Sequence, residues 1–424
     1  MAVSILMGIA MSAVSIVLAI VLVAPIYGDE TADLVLVATP CFLMGAIMAV
    51  PMSVLRRRLD FARLSIIELA STLIRLGATV GFALSGMDAS ALVVGYLVGM
   101  VAGFVFACLA APPALPRWRP QEIRELMSYG GPASLASFAW AAFRNGDYAI
   151  IGAKLGSAQA GFYWRAYHLA VEYQRKISIV MTQMAFPVLA RAAGENEMLA
   201  LRRRMVIVLT SVLFPLLALL VVLAPTVVPW LFGPQWEPAV VPTQILAGGG
   251  AAALVIDTVG SAVMAQGRAK ALLGYGIAHF VVYAGAVVLV ASRGLSAIAI
   301  AASVVHGIFL VVAYQLLMGG RGARALRACW DDLVAATTSC IALAGAAGAV
   351  TWLIGPDDVP TLVYLTAVST AGGVAYLLVL RALFPSAFAD LAAVIRRVIP
   401  ARVLRRLGAL GVQLWPRRPS SEAG

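Results

Sequence analysis

The sequence predicts an all-α integral membrane protein that crosses the bilayer about twelve times. Three observations predict this class. Hydrophobic residues make up 62% of the 424 residues and charged residues 12%, about half the ~25% typical of a soluble domain. Apolar runs of about 20 residues recur along the whole chain. Basic residues lie in short clusters between these runs, as in the loops of polytopic membrane proteins.

Each predicted span is an apolar run bounded by charged or turn-forming residues. The first run starts at the second residue without the basic n-region of a signal peptide, so we interpret it as a spanning helix. The sixth is the most polar, and its assignment depends on the loop charges. The predicted spans are Val3–Tyr27, Leu34–Leu55, Ser65–Ser85, Ser90–Ala111, Gly131–Gly152, Ala160–Phe186, Met205–Phe232, Val240–Gln266, Ala271–Ser292, Ser296–Met318, Leu333–Gly355 and Thr361–Phe384.

The distribution of Lys and Arg between the loops predicts the orientation. One set of alternate loops carries clusters such as Arg56–Arg58 and Arg202–Arg204, whereas the opposite set carries only Lys154 and Arg293. The basic set is predicted to be cytoplasmic, with both termini inside. If residues 160–186 did not span, every later basic cluster would be exported, so this segment is predicted to cross the membrane despite its charges.

The sequence also argues against several classes of protein. The net charge is +11, but the basic residues do not form a stripe on a polar domain, which argues against nucleic-acid binding. The four cysteines form no CxxC, so neither a disulfide framework nor a metal site is predicted. No GK[ST] phosphate loop is present, and the outer loops are too short for a catalytic constellation. We expect a protein that is not an enzyme and binds no cofactor or metal.

Ionisable residues inside the predicted spans are the strongest candidates for function. Each costs roughly 2.5–3.5 kcal/mol near the bilayer centre, so such residues are expected to face a bundle interior or a wet cavity. Four polar residues of the sixth span follow one another by three, four and three positions, which places them on one helix face: Arg165, His168, Glu172 and Arg175. The candidate cavity residues are Arg75, Arg144, Asp147, Arg165, His168, Glu172, Arg175 and Lys176.

These residues admit two interpretations. Their small excess of positive charge favours an anionic ligand. Polar pairs also hold membrane helices together, so Arg144 and Asp147 are equally compatible with an architectural salt bridge. Asp257, in the eighth span, is either a candidate ion-coupling residue or a helix-packing acid. The three histidines, His168, His279 and His306, lie on different segments, and each by its position is interpreted as a polar packing residue rather than a ligand.

Four stretches carry a family resemblance. Residues 51–99 contain a basic loop and helix pair around an R-x-L-x-F motif, and residues 144–170 read RNGDYAIIGAKLGSAQAGFYWRAYHLA. FPVLAR at residues 186–191 and a further stretch at residues 227–247 follow in order. Together these stretches resemble the oligosaccharide flippase family, the polysaccharide-export branch of the superfamily that also contains the multidrug-and-toxin exporters.

This resemblance implies two six-helix lobes around a central cavity, with two added C-terminal helices. Residues 1–111 would form an N-terminal lobe of four helices, without the first two of the family, and residues 112–130 a cytoplasmic linker. Residues 131–318 would form the C-terminal lobe and residues 319–384 the accessory pair. Residues 385–424, rich in arginine and interleaved with apolar residues, are predicted to lie as a basic amphipathic tail on the inner leaflet.

The activity implied by the resemblance is alternating-access flipping of a lipid-linked oligosaccharide. The substrate would be a polyprenyl-pyrophosphate-linked oligosaccharide, moved across the bacterial cytoplasmic membrane for lipopolysaccharide, exopolysaccharide or another surface polysaccharide. Buried arginines such as Arg75, Arg165 and Arg175 would bind its pyrophosphate. Membrane lipids, and a polysaccharide polymerase or assembly complex, are further candidate partners.

Two other readings stay open. A cation-coupled small-molecule exporter of the same superfamily would use Asp257, Glu172 or Asp147 as its protonatable site, although the cationic excess of the spans argues against it. A non-transporting scaffold of a polysaccharide assembly complex is the third reading, because the first lobe would be incomplete.

Overall fold

The computed structural model describes residues 2–112, 145–178, 189, 191–192, 194–356 and 358–398. All regular secondary structure in these residues is helical, which confirms the predicted all-α class. The predicted linker at residues 112–130 lies almost entirely outside them. So do Arg144 and the tail beyond residue 398.

We number the helices of the described residues α1 to α13. Two of them, α1 and α6, contain a π-helical turn, at Ala19–Val23 and His168–Glu172. The helices are α1 Ala2–Tyr27, α2 Asp29–Arg57, α3 Phe61–Leu84, α4 Ser90–Ala110, α5 residues 145–155, α6 residues 157–178, α7 Glu195–Phe232, α8 Val240–Ala265, α9 Ala269–Val290, α10 Leu295–Leu317, α11 Gly322–Leu353, α12 Thr361–Leu383 and α13 Pro385–Val398.

Ten of these helices are long and apolar enough to cross a membrane. They coincide with ten of the twelve predicted spans, which confirms a polytopic membrane protein. The other two predicted spans, residues 131–152 and 160–186, extend beyond the described residues, and their described parts are α5 and α6. The total of twelve therefore stays a prediction.

Two helices extend well beyond their apolar spans. Helix α7 begins at Glu195 and α11 at Gly322, about ten residues before the predicted spans start at Met205 and Leu333. At about 1.5 Å per residue, the 38 residues of α7 measure about 57 Å, which exceeds a hydrocarbon core of about 30 Å. Hydropathy locates the apolar part of a helix, whereas backbone hydrogen bonding continues into its polar ends.

The chain divides into two compact units, Met1–Asn145 and Gly146–Gly424. In the first unit, α4 packs against α2 and α3, and α1 packs against α2. Helix α4 presents a buried stripe of small residues at every fourth position, which are Ala91, Gly95, Gly99, Gly103 and Ala107. A Cβ atom at Gly99 would lie 2.5 Å from the Cβ of Arg75. Small residues thus allow α3 and α4 to approach closely at the level of Arg75.

In the second unit, α8 is the central helix. It packs against α6, α7 and α10, and α9 packs mainly on α10. The pair α11–α12 packs against α7, and α13 covers α7 and α12 through buried Ala387 and Leu391. The interior around α8 therefore brings together residues from α6, α9 and α10.

Four helix-to-helix turns share a glycine geometry. Gly28, Gly156, Gly233 and Gly294 have φ between 89° and 94° and ψ between 161° and 176°. This region is essentially restricted to glycine, because a Cβ atom would clash with the backbone. The four glycines join α1 to α2, α5 to α6, α7 to α8 and α9 to α10, the last two through short 3₁₀ turns. Each helix pair is thereby closed into a tight hairpin.

Candidate functional site

Unit 2 contains a layer of polar residues inside its helical bundle, which we take as the candidate functional site. Several of its members lie within about one helical turn of the midpoints of their predicted spans, namely Glu172, Arg175, Asp257, His279, Tyr283 and His306. The polar layer consists of Asp147 on α5, Tyr167, Glu172 and Arg175 on α6, Asp257 on α8, Tyr275, His279 and Tyr283 on α9, and His306 on α10. Five helices therefore contribute polar groups to one apolar bundle.

An ion pair joins α6 to α8 within this layer. The Nε of Arg175 donates to Asp257 Oδ2 at 3.2 Å, and Nη2 donates to Oδ1 at 3.5 Å. About a fifth of each side chain is exposed, 23% for Arg175 and 22% for Asp257. Glu172 and Tyr167 also interact electrostatically with Arg175. The pair is thus fork-shaped and partly accessible, which suits a group that can exchange its partner for a ligand.

A second polar contact joins α5 to α9. The Tyr283 hydroxyl donates to Asp147 Oδ2 at 2.9 Å, and the Tyr148 amide donates to Oδ1 at 3.0 Å. Asp147 is only 7% exposed. Edge-to-face contacts of Tyr148 with Tyr163 and Tyr167 surround this carboxylate with aromatic rings. Its described contacts are those of a packed, hydrogen-bonded acid.

Between these two contacts lie the histidines of α9 and α10. The ring centroids of His279 and His306 are 5.3 Å apart, and the rings meet edge to face. His279 stacks on Phe309 with centroids 4.5 Å apart, and Tyr283 contacts His306 at 5.7 Å. Arg175 interacts electrostatically with both imidazoles. The separate histidines of the sequence are therefore neighbours in the fold.

The N-terminal half of α6, which carries Arg165 and His168, makes different contacts. The Cζ of Arg165 lies 4.3 Å from the ring centroid of Phe232 and 5.2 Å from that of Trp236, so α7 and the 3₁₀ segment Pro234–Ala239 hold this guanidinium by cation–π contacts. His168 stacks on Trp164 with centroids 3.8 Å apart. The π-helical turn at His168–Glu172 inserts a residue between Arg165 and Arg175, and the two arginines contact different helices.

The remaining candidates lie apart from these contacts. The Lys176 ammonium lies 5.4 Å from the ring centroid of its neighbour Tyr173, and the Lys176 side chain is exposed. Arg75 belongs to the first unit, where its side chain is exposed on α3 and has no ion-pair partner among the described residues. Arg144 lies outside the described residues.

A further buried network joins α7 to α11. Arg202 Nη1 donates to Asp332 Oδ2 at 2.9 Å, and the Tyr314 hydroxyl donates to the same oxygen at 2.6 Å. Arg202 Nη2 donates to Thr258 at 3.3 Å, so α7, α8, α10 and α11 all meet here. In the sequence Arg202 resembles an ordinary loop charge, because Arg202 and Asp332 both lie outside the apolar spans. The network was therefore not predicted. The available signal was that Arg202 and Asp332 each lie just before the start of a predicted span.

No cluster of three or more metal-ligating side chains occurs in the part of the chain that the structure describes. Within the described residues, the polar layer combines one bidentate ion pair, one buried acid and two imidazoles inside an apolar helical bundle. Such an arrangement can bind anions or exchange protons, but it has no evident nucleophile–base pair. The chain is thus a multi-pass membrane protein with ionisable residues inside its apolar helical bundle, where such residues are costly to bury.

Comparison with known proteins identifies the family. Residues 1–241 match the family described as "Polysaccharide biosynthesis protein". Because the match covers more than half of the 424 residues, the chain belongs to that family.

Two curated relatives agree with this assignment. An "uncharacterized membrane protein in cps region" of Klebsiella pneumoniae is 23% identical over 236 residues, 54% of this chain and 49% of the relative. The "teichuronic acid biosynthesis protein TuaB" of Bacillus subtilis (strain 168) is 25% identical over 272 residues, 59% of this chain and 55% of the relative. The chain thus spans about half the length of the curated relatives that it matches.

Proposed function

We propose that this protein moves a lipid-linked oligosaccharide across the cytoplasmic membrane during synthesis of a surface polysaccharide. The substrate is a polyprenyl-pyrophosphate-linked oligosaccharide, the protein is not an enzyme, and transport proceeds by alternating access of two lobes. The single observation that carries the proposal is the Arg175–Asp257 ion pair in the polar layer of unit 2. It occurs in a chain that belongs to a family of polysaccharide biosynthesis proteins.

The chemistry of the substrate fits the candidate residues. A pyrophosphate carries negative charge and accepts bidentate hydrogen bonds, and a guanidinium offers the matching fork of donors. Arg175 would exchange Asp257 for the pyrophosphate. Arg75, exposed on α3 of unit 1, is a separate candidate for binding an anionic substrate. Asp257 stays the candidate residue for binding the coupling ion. Arg165, held by aromatic rings, has a smaller expected role in ligand binding.

The relatives support the polysaccharide context. One is named for teichuronic acid biosynthesis and the other for a membrane protein of a cps region. We propose the same general role here, with helices α11 and α12 as an accessory pair, α13 as the start of a cytoplasmic basic tail and a polymerase or assembly complex as a further partner. On the basis of the positive-inside rule, we propose that both termini lie in the bacterial cytoplasm.

The test is to deplete the protein in its own cell and follow the lipid-linked oligosaccharide. We expect the intermediate to accumulate and to stay inaccessible to an impermeant glycan-oxidising reagent applied from outside. Re-expression of the full chain should restore access. If depletion leaves the exposed fraction unchanged, the flippase proposal is wrong.

The same measurement separates the two alternatives. A scaffold of an assembly complex would leave the lipid-linked intermediate exposed outside while polymer length falls. A cation-coupled exporter of small molecules would leave the intermediate and the polymer unchanged, and its loss would instead sensitise the cell to cationic compounds. Each reading therefore predicts its own phenotype.

A further inference from the structure

We propose that one face of helix α11 contacts the acyl chains of the lipid bilayer, with Trp330 and Trp352 at its two headgroup levels. The partner of this face is phospholipid, not a protein and not the transported ligand. No residue of the face belongs to the polar layer, so this inference goes beyond the proposed function and does not depend on it.

Three large side chains recur along α11 at equal intervals. Trp330, Ile341 and Trp352 follow one another by 11 residues, which is about three turns of an α-helix. The three side chains therefore lie on one face of the helix. Their exposed fractions are 66%, 73% and 85%, so the part of the chain that the structure describes leaves this face uncovered.

The two tryptophans are separated by about the thickness of a bilayer. Trp352 follows Trp330 by 22 residues, which is about 33 Å along the helix axis, and a hydrocarbon core measures about 30 Å. Residues 333–351, between the two rings, include no charged side chain. The exposed Thr337 hydroxyl donates to the Leu333 carbonyl oxygen at 2.7 Å, so it needs no partner outside its own helix. The face between the rings is therefore suited to an apolar solvent.

A third tryptophan supports the level assigned to Trp352. Near the C-terminal ends of α7 and α11, Val227 and Val350 pack against one hydrophobic cluster, so these ends lie side by side. Trp230 follows Val227 by three residues and Trp352 follows Val350 by two, and both indole side chains are exposed. Two neighbouring helices thus present tryptophan at one level, as in the aromatic belt of a membrane protein.

Basic residues accompany Trp330 at the other end of the helix. Arg327 precedes it by three residues and is exposed. On α12, Leu380 packs in one cluster with Ala335 of α11, and the exposed Arg381 comes next in the chain. Guanidinium groups beside an indole at the headgroup level can reach the phosphates of the lipids. Charge and aromatic position therefore indicate the same boundary.

The composition of the face favours lipid over the other possible partners. The wall of a wet cavity carries ionisable groups, as α6 does, whereas residues 333–351 of α11 carry no charge. A protein partner requires no particular distance between two aromatic residues, whereas a bilayer requires this one. An indole ring is apolar with one N–H donor, which suits the boundary between acyl chains and headgroups. Lipid therefore accounts for the spacing of the rings and for the position of the charges.

This assignment also gives the depth of the buried Arg202–Asp332 pair. Asp332 follows Trp330 by two residues, which is about 3 Å along α11. The ion pair would therefore lie near the headgroup level that Trp330 marks. It would lie far from the bilayer centre, where an ionisable group is most costly.

The test uses the tryptophans of the full chain, of which there are eight. The protein is labelled with fluorotryptophan, placed in phosphatidylcholine nanodiscs and observed by fluorine NMR. Trp330→Phe and Trp352→Phe identify their two signals by disappearance, and Ile341→Trp adds a signal at the midpoint of the face. All three variants change exposed side chains, and thermal unfolding checks that each is folded. The nanodiscs contain phosphatidylcholine that is spin-labelled either near the headgroup or near the end of one acyl chain.

We expect the headgroup label to broaden the Trp330 and Trp352 signals most strongly. The chain-end label should instead broaden the new signal of Ile341→Trp most strongly. A new signal that neither lipid broadens would overturn the proposal. So would equal broadening of all three signals by the chain-end label, because the two tryptophans would then not lie at the boundaries.

A second measurement examines the same face in the producing cell. A photo-crosslinking amino acid is introduced at position 341 of the full chain, and the irradiated membranes are examined by immunoblot. We expect no adduct with another protein chain, because acyl chains surround this position. A reproducible adduct with a second copy or with another protein would overturn the proposal. Neither measurement detects transport, so either can fail while the flippase test above succeeds, and the reverse.

Discussion

Arg202 on α7 and Asp332 on α11 form a buried ion pair at the basic ends of their helices. The Nη1–Oδ2 distance is 2.9 Å, and the side chains are 3% and 4% exposed. Tyr314 donates to the same carboxylate, and the Arg202 guanidinium lies over the Tyr314 ring at 4.7 Å. The pair therefore fastens the α11–α12 helices to the rest of unit 2.

Removing one member of this pair should destabilise the protein strongly. Arg202→Met leaves the buried Asp332 carboxylate with only the half-exposed Arg203, whose Nε lies 3.9 Å from Oδ1, as its cation. Breaking a buried pair in this way typically costs about 3–5 kcal/mol. The double variant Arg202→Met/Asp332→Leu should lose much less, because two apolar groups replace both charges. Thermal unfolding in detergent, followed by tryptophan fluorescence, checks this order. The control is Arg204→Met, whose bridge to Asp390 involves an exposed arginine and should matter little.

Tyr283 should be needed to keep Asp147 buried. Tyr283→Phe removes the 2.9 Å hydrogen bond to a carboxylate that is 7% exposed, at an expected cost of about 1–3 kcal/mol. Tyr173→Phe is the matched control, because that side chain is 46% exposed and loses only a hydroxyl. The two variants are compared by thermal unfolding under the same conditions. Equal unfolding temperatures would show that the Asp147 contact contributes nothing.

Adjacent glycines of α8 should respond oppositely to alanine. A Cβ atom at Gly249 would lie 2.7 Å from Ser303 Cα on α10, whereas one at Gly248 has no neighbour within 4 Å. Gly249→Ala should therefore separate α8 from α10 at a cost of about 1–3 kcal/mol. Gly248→Ala should instead stabilise its helix by roughly 0.5–1 kcal/mol. Unfolding temperatures that move in the same direction for both variants would contradict the close approach of these helices.

The Arg175–Asp257 pair should separate a packing role from a transport role. Arg175→Met removes the guanidinium that pairs with the Asp257 carboxylate, so the amount of protein in the membrane should fall. The double variant Arg175→Met/Asp257→Leu should restore that amount but not polysaccharide export, because the anion-binding group is still missing. Immunoblots and surface-polysaccharide assays on the same cells measure both quantities. Restored export in the double variant would assign the pair to packing alone.

Arg75 provides the corresponding test in unit 1. Its side chain is exposed on α3, so Arg75→Ala should leave the amount of membrane protein normal and abolish export. Arg63→Ala is a suitable comparison, because Arg63 is exposed on the same helix and pairs only locally with Asp60 among the described residues. Normal export by Arg75→Ala would remove Arg75 from the substrate path.

Hydropathy predicted the all-α class and ten of the spans, but only part of the candidate site. Ten spans were placed within about a dozen residues at each end, because an apolar run of bilayer length has few alternatives to a helix. Hydropathy correctly placed Asp257 inside an apolar helix, whereas the span that contains Arg175 stays a prediction. It could not predict that they meet, since spacing within one helix says nothing about the neighbouring helix.

The histidine pair was missed for the same reason. His279 and His306 lie on different helices, 27 residues apart, and each alone resembles a packing residue. The π-helical turn at His168–Glu172 was also beyond prediction, and it disrupts the regular spacing on which one common face for Arg165 and Arg175 was based. Neighbour relations between helices and irregular turns thus required the three-dimensional structure.

The glycine turns determine which helices of unit 2 are held together as hairpins. A hairpin closed by Gly294 keeps α9 and α10 together, so His279 and His306 travel as one body. Arg175 and Asp257 belong to different hairpins, α5–α6 and α7–α8, closed near Gly156 and Gly233. A relative shift of these two hairpins would therefore change the Arg175–Asp257 contact, whereas the contact between His279 and His306 lies within one hairpin. Among the described residues of the polar layer, Arg175 and Asp257 thus form the ion pair that joins two separate hairpins of unit 2.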